Sequence, residues 1–170
     1  PILPGSAISW FLSKWLQLAL FAVIQAVLVS LFVLFVLGLD VANAGLFILF
    51  AIFVSLTFMS IVFCLVSIGG NIGRFLALVF IVLQLSITGS NLPIPMLPEN
   101  LQSLSQFLPL TYSNAGFKSV ISLGDTSLLS SNSTVLAIWL VVTSVLALIA
   151  FALSYRTLRT STTPTTSDVT

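Results

Sequence analysis

Side chains with chemistry to offer are few in this chain, and they stand far apart. Gln25 and Gln84 sit deep in apolar runs, Cys64 stands alone in another, and Pro109, Tyr112 and Lys118 share a short stretch of mixed character. There is no His, and four acids accompany the single Cys. A Ser-His-Asp relay needs an imidazole and a metal site needs several His, Cys or carboxylate ligands, so both chemistries are excluded. The glycine run Gly69-Gly70-Asn71-Ile72-Gly73 lacks the Lys and the hydroxyl that phosphate and magnesium binding require, so any ATP hydrolysis belongs to a separate subunit. No catalytic, cofactor-binding or metal-binding residue is expected, no cofactor is called for, and the chain is not read as an enzyme. What remains is hydrogen bonding. Gln25 and Gln84 are expected to point into a helix bundle, where an interhelical bond worth about 0.6 kcal/mol is a plainer role than substrate contact. Cys64 reads as a small packing residue.

The elements that carry these residues follow from where charge is missing. Five basic and four acidic side chains serve 170 residues, 58% of them hydrophobic, and the mean hydropathy is +1.22. A charge at the centre of a membrane helix costs about 2.5 to 3.5 kcal/mol on insertion scales, so charges collect where the chain meets water. Lys14, Asp40, Arg74 and Glu99 are separated by uncharged runs about one membrane thick, as are Asp125 and Arg156. The fold expected is an all-α polytopic membrane bundle, residues 14–159, with spans over about 15–39, 44–68, 74–90 and 134–155. The link from Gly38 to Asn43 is short enough to make the first two an antiparallel hairpin, and the glycine run turns the chain before the third. Residues 1–13 are expected to form a cytoplasmic loop or interfacial helix. Residues 160–170, almost all Thr, Ser and Pro, are expected to form a disordered cytoplasmic tail. Because the chain opens on Pro1 with no basic segment ahead of a short apolar core, it is expected to be a piece of a longer chain and to carry no signal peptide.

Basic residues are retained on the cytoplasmic side of a membrane. With the N-terminus and the tail inside a plasma membrane, Lys14, Arg74, Arg156 and Arg159 all fall inside, while Asp40, Glu99 and Asp125 fall outside; Lys118 is the exception. A net charge of +1 gives no basic patch for nucleic acid.

Three spans carry small residues at helical spacing: Ala19, Ala22, Ala26 and Ser30; Thr57, Ser60, Cys64 and Ser67; Thr143, Ala147, Ala150 and Ser154. Close backbone approach drives helix association in lipid, so these stripes are read first as packing faces and second as a pore lining.

Between the last two spans the chain is neither a clean span nor a solvated loop. Pro93, Pro95 and Pro98 forbid a continuing helix, and a new one is expected from Pro98 and Glu99, with Leu97, Leu101, Leu104 and Leu108 at helical spacing. Pro109 is expected to end it and Thr111 to cap a second helix, which Gly124 terminates. The outer pair, about 97–123, either lies in the interface or dips into the membrane and returns.

These residues carry a resemblance. Leu83-Gln84-Leu85-Ser86 with Gly89, then Leu92-Pro93-Ile94, Leu97-Pro98 and Leu108-Pro109-Leu110-Thr111-Tyr112-Ser113-Asn114-Ala115-Gly116-Phe117-Lys118, resemble the C-terminal membrane region of the YhgE/Pip (phage infection protein) family. That region is similar to the membrane domain of ABC transporter type-2 permeases, in which paired outer re-entrant helices precede the last span. Gly70-Asn71-Ile72-Gly73-Arg74 fits the same pattern. Where this chain has Thr88-Gly89-Ser90 and Lys118, family members often have a Gly-Gly pair and an Arg. The resemblance implies a permease domain that moves a substrate outward with a separate ATPase, and it makes these helices the last four of six, with Ile2 to Ser13 abutting the ATPase. Expected partners are the lipid bilayer, that ATPase and a homodimer or larger membrane assembly. A second function stays open, that of a non-transporting membrane scaffold or a cell-surface receptor serving phage adsorption or secretion.

Overall fold

The computed structural model describes residues 7–88, 99–122 and 126–161. Five helices occupy them: α1 (Ala7–Phe35), α2 (Ala44–Thr88), α3 (Glu99–Ser105), α4 (Pro109–Ser122) and α5 (Thr126–Ser161). No strand occurs among the described residues. Lipid offers backbone amides no partners, so long apolar runs satisfy them internally as helix. Among the described residues, three stretches are long and apolar enough to cross a membrane: Ile8–Phe35, Ala44–Thr88 and Leu129–Leu153.

The helix expected from Trp15 to Leu39 begins earlier, at Ala7, and stops at Phe35. Its end is set by Gly38, whose φ of 66° few other residues adopt, and which lets the Leu39 N–H reach back to the Val33 carbonyl at 3.3 Å. Asn43 then opens α2 as its N-cap, with Oδ1 accepting from the Leu46 N–H at 3.0 Å.

The second and third expected spans lie within α2, and Gly70 divides them, with φ 52° and ψ −119° inside an otherwise helical run. In a straight helix residues 65 and 73 would stand about 12 Å apart along the axis. Here a β-carbon on Gly73 would overlap the Leu65 carbonyl oxygen and lie 3.1 Å from the Val66 Cα. The chain therefore folds back at the glycine run, and Gly73 lacks a side chain because the two arms, 44–69 and 71–88, meet there. Just past the turn, Arg74 Nη1 donates to Asn71 Oδ1 at 3.1 Å.

Packing follows the small-residue faces. In α1, Ala19, Ala22, Ala26 and Ser30 are all buried, and Ser55 Oγ of α2 donates to the Ala22 carbonyl at 3.0 Å. In α2 and α5, Thr57, Ser60, Cys64, Thr143 and Ala147 are buried, whereas Ser67 and Ala150 are half-buried. The side chain of Ser154 lies outside the described set. Two apolar clusters mark the bundle ends. At one, Phe11, Cys64 and Ala147 pack with Trp15, Phe63 and Phe151. At the other, Phe47, Phe50, Val120, Leu129 and Leu136 pack with Tyr112 and Phe117. Lys14, Arg74 and the final turns of α5 share the first end; Asp40 and the α3–α4 pair share the second.

Two boundaries need correction. Pro109 does not end a helix; it begins α4, where its missing N–H costs nothing at the first position, while α3 has already stopped at Ser105. Thr111 is consequently inside α4, and its hydroxyl donates to the Ser105 carbonyl at 2.6 Å instead of capping. The last long helix spans Thr126–Ser161, wider than 134–155 and running into the segment expected as tail. Pro93, Pro95, Pro98, Gly124 and the rest of the expected tail lie outside the described residues.

Candidate functional site

At the Asp40 end, the short α3–α4 pair is joined to the second arm of α2 by uncharged polar groups. Gln84 and Thr88 lie one turn apart on one face of that arm; Thr111 and Asn114 lie one turn apart on α4. Thr88 Oγ1 and Thr111 Oγ1 share a hydrogen bond at 3.1 Å, and Asn114 Nδ2 donates to the Thr88 carbonyl at 3.4 Å. That carbonyl is one of those a helix end leaves without an internal partner. Ser113, buried beside them, donates to the Pro109 carbonyl at 3.0 Å, and Tyr112 Oη closes the α3–α4 turn by donating to the Gln106 carbonyl at 2.7 Å. On the opposite side of α4, the Phe50 ring lies on the backbone at Gly116, where a β-carbon would come within 2.8 Å of Phe50 Cε1.

The five residues expected at the site fall in different places. Gln84 is 2% exposed and points inward, and among the described residues its Oε1 has no hydrogen-bond partner. An unpaired buried acceptor costs about 1–3 kcal/mol. Pro109 is among the most deeply buried residues, Tyr112 is half-buried on the α3–α4 turn, and Lys118 is exposed on α4. Gln25 is the correction: it is exposed rather than turned into the bundle. The α1 face that meets α2 is taken by Ala22, Ala26 and Ser30, which leaves Gln25 on its rim. There it edges a cavity of about 230 Å³ between α1 and α2, lined also by Ser30, Ser55, Phe47 and Phe117. Gln25 and Gln84 are therefore not one site.

A third polar cluster was not legible as such. Ser60 Oγ bonds to Thr143 Oγ1 at 2.9 Å and to Ser144 Oγ at 2.8 Å, pinning the first arm of α2 to α5. Ser60 and Thr143 show in the stripes, but Ser144 falls off its stripe by one residue. Asn114 carries no separate signal either, since one Asn in a Ser-containing helix looks like surface. Trp15 was not legible either: its indole Nε1 is buried and has no partner among the described residues. None of these clusters contains a nucleophile with a base or an acid pair. They can position helices and hold uncharged polar groups, and no more.

With four apolar arms, a glycine fold-back and a short helix pair packed on one end, the chain has the outline of a permease membrane domain. The family described as ABC-2 type transporter matches residues 4–122, which takes in α1 to α4, and the chain belongs to that family. It is also 39% identical over 122 residues, 72% of this chain, to YhgE of Bacillus subtilis (strain 168), described as an uncharacterized protein. The chain spans 16% of the length of that relative. No solved structure matches it.

Proposed function

We propose that the chain is the membrane-spanning part of an exporter of the ABC type-2 kind, with α1, both arms of α2 and α5 crossing the plasma membrane. The N-terminus and the tail face the cytoplasm, and ATP hydrolysis comes from a separate subunit that meets the first turns of α1. Family membership supports the transporter class. The observation that carries the reading is the α3–α4 pair itself, fastened through Thr88, Thr111 and Asn114 to a membrane arm instead of hanging in solvent. A pair held this way shifts when the arm shifts, which is what a gate on the far side from the ATPase requires. Positive residues concentrated at the opposite end, Lys14 and Arg74 among them, support the orientation.

The test is a photo-crosslinking residue at Leu12, exposed on the first turns of α1. In native membranes it should capture a protein that itself binds a labelled ATP analogue, and substitution of that subunit's phosphate-binding Lys should abolish export-dependent phenotypes of the intact system. Capture of no ATP-binding protein would remove the exporter reading and leave a scaffold or receptor that works without transport.

A further inference from the structure

Gln84, on the second arm of α2, is enclosed, and among the described residues its Oε1 has no hydrogen-bond partner. The hydroxyls of the joint one turn away have no proton to offer it. Thr111 donates to the Ser105 carbonyl, so in the 3.1 Å contact between Thr88 and Thr111 the shared proton belongs to Thr88. Ser105 donates to the Gln102 carbonyl and Ser113 to the Pro109 carbonyl, while Pro109 itself carries no N–H. The Gln84 acceptor is idle in this arrangement.

Thr88, one turn further along the same face, meets α4 through two groups: its hydroxyl donates to Thr111 Oγ1, and its carbonyl accepts from Asn114 Nδ2 at 3.4 Å. A carboxamide offers the same pair, a donor nitrogen and an acceptor oxygen. Moving the arm by four residues, about 6 Å toward the Asp40 end, brings Gln84 to the place of Thr88 with the same face turned to α4. Both bonds are then remade. The α4 helix is held back from such a shift, because Phe50 of the first arm lies on Gly116 and meets Phe117 edge-on at 5.0 Å. The slack comes from the other end of the arm. Gly70 already departs from helical geometry, and extending Asn71 to Gly73, at about 3.3 Å per residue against 1.5 Å in a helix, lengthens the turn by about 5 Å. That extension gives up the exposed bond between Arg74 and Asn71.

We propose that the second arm of α2 is a two-position ratchet against α4, latched here through Thr88 and, one turn on, through Gln84. Packed helices step between discrete arrangements of this kind instead of sliding continuously. The second position also removes the desolvation cost that Gln84 carries in the first. The ratchet rests on the membrane-spanning reading and deepens the gate: the α3–α4 pair follows the arm while one latch holds, and the step to the other limits how far it follows. It does not depend on an ATPase, so it can fail while capture of an ATP-binding subunit at Leu12 succeeds.

Distances between two spin labels on the intact protein in a native-like bilayer test it, with Cys64→Ala and labels at Leu85→Cys on the arm and Ile149→Cys on α5, both exposed. Thr88→Val removes the hydroxyl of the first latch and should raise the population of a second distance, roughly 4 to 6 Å longer, by roughly threefold or more. Adding Gln84→Leu should abolish it. Thr88→Ser, which keeps the hydroxyl, should leave the distances of the parent protein unchanged. A single distance in every variant, a second distance that survives Gln84→Leu, or a shift with Thr88→Ser as large as with Thr88→Val would overturn the ratchet. A lower Tm for Gln84→Leu alone would overturn it too, because the carboxamide would then be bonded in the first position.

Discussion

Phe50 of α2 lies against the backbone of Gly116 in α4, and Phe117 holds the same ring edge-on at 5.0 Å and 80°. The ring is pinned from two sides and has little room to swing. Gly116→Ala should therefore destabilise the bundle by about 1–3 kcal/mol, the usual cost of overpacking. Thermal unfolding in detergent should show a lower Tm, and Phe50→Leu in the same chain should restore part of it.

The small-residue faces set how closely the helices approach. Ala147 is fully buried against α2 while Leu20 faces outward, so Ala147→Leu should lower the Tm by several degrees and Leu20→Phe should leave it almost unchanged. Equal shifts at the two positions would remove the packing role of the stripes.

Gln84 keeps a buried acceptor without a partner among the described residues. If its role were only structural, Gln84→Leu should leave stability unchanged or raise it by about 1 kcal/mol, because the replacement ends an unpaid desolvation cost. A marked fall in Tm would show that Oε1 is bonded in the membrane, for instance by a water, and would make Gln84 a holding point for α4.

The fold was readable in the sequence because lipid forces a simple code: uncharged runs of membrane length become helices, and small residues at helical spacing become their contacts. Ala19, Ala22 and Ala26 illustrate this directly. Helix ends were less readable, since Gly38, Asn43 and Pro109 decide them through local backbone geometry that hydropathy does not register. The candidate site was the least readable. A polar residue in an apolar run has only two directions, inward and outward, and depth alone does not choose between them. Gln84 and Gln25 have the same chemistry and similar settings, yet one is enclosed and the other exposed, because only the arrangement of neighbouring helices tells the faces apart.

Orientation can be read from accessibility. With Cys64 replaced by Ala, Asn43→Cys should react with a membrane-impermeant thiol reagent in intact cells, and Ser161→Cys should react only after the cells are opened. The reverse labelling would put the basic end of the bundle outside.

As the membrane domain of a permease, the chain holds its α3–α4 pair within the membrane bundle. Hydrogen exchange of the protein in a native-like bilayer measures that placement most directly. Amides of α4 from Tyr112 to Ser122 should exchange as slowly as those of α2 around Thr57, because the helix is packed on α2 and α5 and its buried face includes Ser113, Ser119 and Val120. Exchange across Tyr112 to Ser122 as fast as in the link around Asp40 would mean that the pair is a solvated loop, and the permease account would lose its structural basis.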